Sequence, residues 1–256
     1  MQYIRSLLFS IVMILSTILT ALMLVVTMPL PFIIRSRIAR GYARFIVKAL
    51  KVLCGTGYEV RGLENIPKST AIIFSKHQSA WETYALQVFF PPHVWVLKRE
   101  LMWVPFFGWG LAALKPIAIN RSSGRKAVHQ IIDQGKKRLE EGIWITIFPE
   151  GTRVAPGQFK RWGIGGAILA EATGYPVIPV AHNAGEYWGR RAFLKKPGTI
   201  QVVIGKPIET KGLKATEINK KAEEWTRATM AEISPVEAGL LPSTEQTTNQ
   251  ESVNIR

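Results

Sequence analysis

The chain has 256 residues, with 33 Lys and Arg against 18 Asp and Glu, a formal net charge of +15. This length sets one domain as the expectation, with a core that needs no metal or disulfide staple. The single cysteine, Cys54, excludes a disulfide framework and a multi-thiolate zinc site. The charge excess calls for an anionic partner: nucleic acid, a phospholipid surface or phosphorylated substrates.

No charged residue stands between Ser6 and Ile34. As a helix, residues 7–28 extend about 33 Å, enough to cross a hydrocarbon core of roughly 30 Å. A cleaved signal peptide would have a shorter apolar core, and no small-x-small cleavage site follows this one. Pro29 and Pro31 then break the helix, since proline lacks a backbone donor and clashes with the preceding turn. In residues 35–53 the cations Arg37, Arg40, Arg44, Lys48 and Lys51 recur every three or four positions, which puts them on one helical face. Ile38, Phe45, Ile46, Ala49, Leu50, Val52 and Leu53 fall opposite, and there is no acid. Such a helix suits the headgroup layer of an anionic leaflet; a surface helix of the globular domain is the competing reading. The flanking positive charge places everything after residue 35 on the cytoplasmic side of the inner membrane. A hairpin dipping into one leaflet, with the prolines at its tip, gives the same side.

Beyond Gly55, short apolar runs at 58–61, 71–75, 94–97, 117–119, 143–148, 177–180 and 200–204 read as strands. Helical patterns at 81–89, 123–141, 161–173 and 216–233 alternate with them, which predicts an α/β domain around a buried sheet. From Ser234 the composition turns to Pro, Ser, Thr, Gln and Asn, with little to bury. The expected organisation is therefore membrane-anchoring helices over 1–54, a catalytic domain over 55–233 and a disordered tail over 234–256.

Three segments carry candidate chemistry. In Ser75-Lys76-His77-Gln78-Ser79-Ala80-Trp81-Glu82 an apolar strand gives way to a turn and then a helix. His77 stands at the carboxyl edge of the strand, where α/β proteins place ligands. Glu82, in the first helical turns, can reach back to one imidazole nitrogen, leaving the other as a general base. A turn histidine followed by a glutamate favoured by the helix dipole fits the same residues. In Phe148-Pro149-Glu150-Gly151-Thr152-Arg153 a buried strand ends in a polar turn. Arg153 can hold a phosphate bidentately, with Thr152 and the turn amides as further donors; a tight loop closed by a Glu–Arg pair is the other reading. In the third segment, Lys98 and Arg99 can meet a phosphate, and the aromatic run from Met102 to Trp109 can line an acyl groove, dip into lipid or fill the core.

The segment from Gly108 to Ala113 only mimics a dinucleotide fingerprint, since no clean strand precedes it. No GxSxG elbow, P-loop or HExxH occurs. His93, His129 and His182 have no ligand-like spacing, and Cys54 has no activating neighbour, so covalent catalysis is unsupported. Asn120-Arg121-Ser122 matches a glycosylation sequon but falls in the expected cytoplasmic part.

Together these segments resemble the glycerolipid acyltransferase family, and within it the bacterial lysophosphatidic acid acyltransferases. The family's His, four residues and an acid is matched by His77 and Glu82. Its Lys-x-x-Leu segment leading to a Pro-x-x-Gly turn is matched by Lys98, Leu101, Pro105 and Gly108. Its Phe-Pro-Glu-Gly-Thr-Arg is matched in full by Phe148 to Arg153, and its apolar strand with a central proline by Val177-Ile178-Pro179-Val180. The order is preserved over roughly residues 55 to 210. Two departures stand out: Glu82 replaces the usual Asp, and Asn120 replaces the Asp that ordinarily precedes Arg121.

The resemblance implies a mixed central sheet flanked by helices and a single-displacement transfer. His77 takes the acceptor's hydroxyl proton, Glu82 steadies the imidazolium, and amides near the His77 turn stabilise the oxyanion. Lys98 and Arg153 hold the acceptor's phosphate, in a pocket shaped by Glu150, Gly151 and Thr152. It further implies acyl carrier protein or coenzyme A thioester as donor, lysophosphatidic acid as acceptor, membrane phospholipid as surroundings, and no metal or other cofactor. Another lysolipid, such as a lyso-ornithine lipid, is the alternative acceptor. A membrane-tethered nucleic-acid-binding protein is the reading from another class. It requires cations interleaved with exposed aromatics in the body, whereas much of the basic cluster here follows the membrane segment; no nucleic-acid partner is expected.

Overall fold

A computed structural model describes residues 1–120 and 123–238, so Arg121 and the stretch 239–256 of the expected tail lie outside it. The apolar first segment forms helix α1, Gln2–Val26, and the basic one forms α2, Phe32–Cys54. Pro29 and Pro31 occupy the turn between them, and the two helices pack together as a hairpin.

One face of α1 buries Ser6, Phe9, Ala21 and Leu24 against the body. The other leaves Ile4, Leu7, Leu8, Ile11, Leu15, Leu19 and Leu22 exposed. The apolar side of α2 is not a lipid-facing surface. Ile46, Leu50 and Cys54 enter the core beneath the sheet, while Phe45 and Val52, expected beside them, are exposed. On the cationic side Arg37, Arg44, Lys48 and Lys51 face out. Arg40 leaves that row: its Nε donates to the Gln87 carbonyl at 3.0 Å, and a second nitrogen donates to Phe90. A helix end exposes carbonyls that need donors, and a guanidinium supplies them. The change of sequence character near residue 54 is thus not a division in packing.

Seven strands follow: β1 Thr56–Arg61, β2 Ile72–Ser75, β3 His93–Lys98, β4 Ile117–Ile119, β5 Trp144–Ile147, β6 Val177–His182 and β7 Gly198–Ile204. They form one mixed sheet in the order β1-β7-β6-β2-β5-β3-β4. The pairs β2–β6, β2–β5, β3–β5, β3–β4 and β1–β7 are parallel and β6–β7 is antiparallel. Strands 2 to 6 therefore all end at the same edge. Alternation along β2 sends Ile72 and Phe74 to one face and Ile73 to the other. Both faces of the central strands β2, β5 and β6 are covered, which is why they read as continuous apolar runs.

The remaining helices are α3 Trp81–Phe89, α4 Phe107–Ala113, α5 Arg125–Glu140, α6 Gly165–Thr173, α7 Ala184–Tyr187, α8 Ala215–Ile233 and α9 Pro235–Ala238. Helix α6 starts later than the pattern from residue 161 suggests. The preceding stretch is drawn to the sheet instead: Gly163 donates its amide to the Pro149 carbonyl at 2.8 Å, and the Trp162 ring meets Phe74 edge-on. Helix α4 was not expected, because its aromatic run has no polar face to set a period. It packs on α1, and Gly108 is needed there because a Cβ would lie 2.3 Å from the Met102 carbonyl oxygen. Residues 235–238 lie within the expected tail, yet they form the helical turn α9.

Candidate active site

The turn after β2 is held from several sides. Lys76, buried, places its Nζ 2.6 Å from Glu150 Oε1, and the His77 amide donates to Glu150 Oε2 at 2.7 Å. From the end of β6, His182 donates Nε2–H to the Lys76 carbonyl at 2.8 Å. Val154 donates its amide to the His77 carbonyl at 2.8 Å, joining this turn to the one after β5. The Ser79 hydroxyl accepts from the Trp81 amide at 3.1 Å and so starts α3.

Glu82 sits in the first turn of α3, fully buried, with Oε1 2.8 Å from His77 Nδ1. The same carboxylate accepts from the Gln78 amide at 3.0 Å and the Ser79 amide at 2.8 Å. An ionised carboxylate only accepts, so Nδ1 carries the hydrogen and Nε2 keeps its lone pair. Burial pushes the Glu82 carboxyl up, but His182, His77 and the Ser79 amide outweigh it and hold the group below the ordinary carboxylate range. The His77 ring stacks on Phe148, with centroids 4.0 Å apart and planes 15° from parallel. The histidine and the acid thus meet, as the spacing allowed, and His77 lines a cavity.

That cavity has a volume of about 570 Å³. Its polar end holds His77, Lys98, Gly151, Thr152 and Arg153. Residues of α1 (Thr20, Ala21, Leu24), α2 (Ala39, Ala43) and α4 (Gly110, Leu111) make the rest of its lining mostly apolar, with Thr17, Tyr42, Tyr84 and Gln87 among them. Gly151 turns the chain at φ 68°, a left-handed conformation that costs other residues strain. Arg153 has no carboxylate partner among the described residues, and its Nε is buried without an acceptor. Lys98, at the end of β3, is half exposed with Glu100 at 3.3 Å.

Two expectations require correction. Glu150 offers no face to a phosphate, because both its oxygens are engaged by Lys76 and the His77 amide and its own charge would repel an anion. It ties the β2 and β5 turns together instead, and the Glu–Arg pairing considered for this loop does not form. The amides of His77, Gln78 and Ser79 are likewise spent on Glu150 and Glu82, so they cannot cradle an oxyanion. Sequence reasoning also missed Arg190 and Arg191, which line the same cavity, and the supporting role of His182. The Arg190-Arg191 doublet was a visible signal, but only the pairing of β6 with β2 shows that it lies beside His77.

An Acyltransferase family model matches residues 57–183. The chain is 51% identical over 212 residues to the 1-acyl-sn-glycerol-3-phosphate acyltransferase of Pseudomonas aeruginosa, covering 81% of this chain and 82% of that protein. It is 30% identical to the enzyme of the same name from Saccharomyces cerevisiae, over 71% of this chain and 61% of the yeast protein. The crystal structure of the 1-acyl-sn-glycerophosphate acyltransferase of Thermotoga maritima superposes with a TM-score of 0.75 at 21% identity, covering 95% of this chain and 98% of the other, and so shares the fold. This chain belongs to the acyltransferase family.

Proposed function

We propose that the protein transfers a fatty acyl group from a thioester to the free sn-2 hydroxyl of lysophosphatidic acid, giving phosphatidic acid for phospholipid synthesis. One observation carries the reading: the His77–Glu82 pair opens into a cavity that is cationic at one end and apolar at the other. A base, an anion site and an acyl site share one enclosure. Relatives named for this reaction support the acceptor. The donor is an acyl carrier protein or coenzyme A thioester, and the steps draw on no metal or redox cofactor.

His77 Nε2 takes the hydroxyl proton as the oxygen attacks the thioester carbonyl carbon, and Glu82 balances the imidazolium. The C–S bond then breaks, the thiolate leaves with the imidazolium proton, and the ester remains. Oxyanion donors are assigned to the turn after β5, where the Thr152 and Arg153 amides have no protein acceptor among the described residues. Arg153, with Lys98, holds the acceptor's phosphate. Arg153→Ala should raise the acceptor KM roughly 10- to 100-fold, the equivalent of ~1.5–3 kcal/mol for a hydrogen bond to a charged group. Lys98→Ala should act less, because Glu100 and solvent already screen that cation. Arg153→Lys should rescue poorly, lacking the planar fork. Steady-state kinetics with varied acceptor decide this, and an unchanged KM in Arg153→Ala moves the phosphate elsewhere.

The exposed apolar face of α1 supports membrane attachment. The helix touches the body along its length: Phe9 meets Trp188 edge-on with centroids 5.3 Å apart, and Ala21 abuts Gly110. A helix docked along its whole length is better suited to lie in one leaflet than to cross both. The exposed row of Arg37, Arg44, Lys48 and Lys51 supports the cytoplasmic side of the inner membrane for that leaflet. The test is purified protein in anionic liposomes with lysophosphatidic acid and labelled thioesters, product identified by mass. Phosphatidic acid should form, and the protein should stay with the vesicles through carbonate washing. Absence of product with every donor would sink the assignment, and release by carbonate would sink the anchor.

A further inference from the structure

The reaction brings two phosphate-bearing molecules to one imidazole, yet Lys98 and Arg153 account for only one of them. Lysophosphatidic acid carries a phosphate, and both expected donors carry another on the pantetheine arm that ends in the thioester. In the sheet, β2 with His77 lies between β5 and β6, and β3 lies beyond β5. Arg153 follows β5 and Lys98 ends β3, so the acceptor's cations stand on one side of the base. On the other side, the chain leaves β6 through α7 and reaches Arg190 and Arg191, which line the same cavity as His77.

This arginine doublet is built in a way that a solvated surface pair does not require. Neither guanidinium has a carboxylate within ion-pair distance among the described residues. Arg190 Nη1 donates to the Arg153 carbonyl at 3.2 Å, which fixes it against the active-site turn and leaves its other donors free. Arg191 holds φ at 57°, a left-handed conformation that is strained for a non-glycine residue and tends to persist where a site needs it. Two uncompensated guanidinium groups at the rim of a cavity form an anion clamp.

We infer that Arg190 and Arg191 bind the phosphate of the donor's pantetheine arm, while Arg153 and Lys98 hold the acceptor's phosphate. Each substrate's phosphate is then held by its own cations, and the thioester carbonyl meets the hydroxyl at His77. This rests on the transferase reading above. It also explains how a site can accept both a small nucleotide thioester and a carrier protein, since the phosphopantetheine is their common part.

The experiment compares full-length wild type, Arg191→Ala and Arg190→Ala/Arg191→Ala in liposomes. Three donors are used: acyl-coenzyme A, acyl carrier protein, and a phosphate-free acyl N-acetylcysteamine thioester. The double variant should raise the KM of both phosphate-bearing donors at least tenfold. Its kcat/KM preference for acyl-coenzyme A over the phosphate-free thioester should fall by at least the same factor. The acceptor KM should stay within twofold, in contrast to Arg153→Ala. Arg191→Ala, which removes no hydrogen bond within the protein, should give several-fold of the same effect and guards against a displaced Arg153. Equal loss with the phosphate-free donor, or a rise in acceptor KM instead, would overturn the assignment. Loss confined to the carrier-protein donor would assign the pair to the carrier's acidic surface and overturn it equally. Wild type failing with every donor is a separate result, which removes the transferase reading itself.

Discussion

His77→Ala should lower kcat by about 10²–10⁴-fold, the usual contribution of a positioned general base, while leaving the protein folded and on the membrane. The expected loss corresponds to roughly 2.7–5.4 kcal/mol of transition-state stabilisation. The structure separates the chemical role of this residue from its structural one. Its amide bond to Glu150 and its carbonyl bond from Val154 belong to the backbone and survive the substitution. The side chain contributes its stack on Phe148 and its bond to Glu82, at the wall of a cavity where little packing depends on it. Substrate KM values should therefore change little. The measurement is kcat with saturating donor and acceptor, alongside thermal unfolding and liposome sedimentation. Near-wild-type turnover in a folded His77→Ala protein would show that another group removes the proton.

The main lines of this site were legible because its chemistry stands in short turns directly after buried strands. Those strands announce themselves by apolar runs, and the residues that follow them are unusually polar. All seven expected strands are present: the central ones, covered on both faces, leave unbroken apolar runs, while the edge strand β1 alternates apolar and charged residues. What could not be read was which polar groups consume one another. Glu150 and Arg153 lie three residues apart, and nothing local says that the carboxylate turns inward to Lys76 while the guanidinium stays open. The amides after His77 seemed free donors until two carboxylates from different elements were seen to occupy them. Arg190, Arg191 and His182 are more than a hundred residues from His77 and join it only through the β2–β6 register. Helix α4 was missed for another reason: it is apolar nearly all round, and periodicity needs a polar face to show itself.

The basic helix illustrates a pattern that was right about charge and wrong about burial. Its cations do form a row, but the opposite face is sheltered by the sheet rather than by lipid. Arg40 then leaves the row to meet the carbonyl end of α3, and Arg35, which was not part of it, meets that of α4. The exposed apolar surface of the hairpin therefore lies chiefly on α1. Among the described residues nothing covers its outer face, and its inner face lines the cavity. The helix with the exposed apolar face is thus also one that lines the cavity.

Glu82→Gln should lose roughly 10²-fold or more in kcat, and Glu82→Asp much less. A glutamine can set its carbonyl where Oε1 stands and still accept from His77 Nδ1 and the Gln78 amide. Its NH2 then replaces Oε2, which lies 3.1 Å from the Ser79 amide, and meets a donor with a donor. That mismatch costs stability, but it leaves the imidazole tautomer intact. The loss in turnover then reports the missing negative charge, which balances the imidazolium as the proton arrives. Aspartate keeps the charge and only shortens the reach, so it should hold His77 less firmly without abolishing the pairing. Stability adds an independent check. The folded-state pKa of Glu82 is depressed, so its stabilising contribution is complete above the unfolded carboxylate value of about 4.3 and disappears as pH falls through the lower folded value. The stability gap between wild type and Glu82→Gln should therefore be widest at neutral pH and narrow in strong acid. Denaturant unfolding at several pH values, with kcat measured at neutrality for all three proteins, tests both claims. Equal turnover in wild type, Asp and Gln would mean that the carboxylate's charge has no part in the transfer.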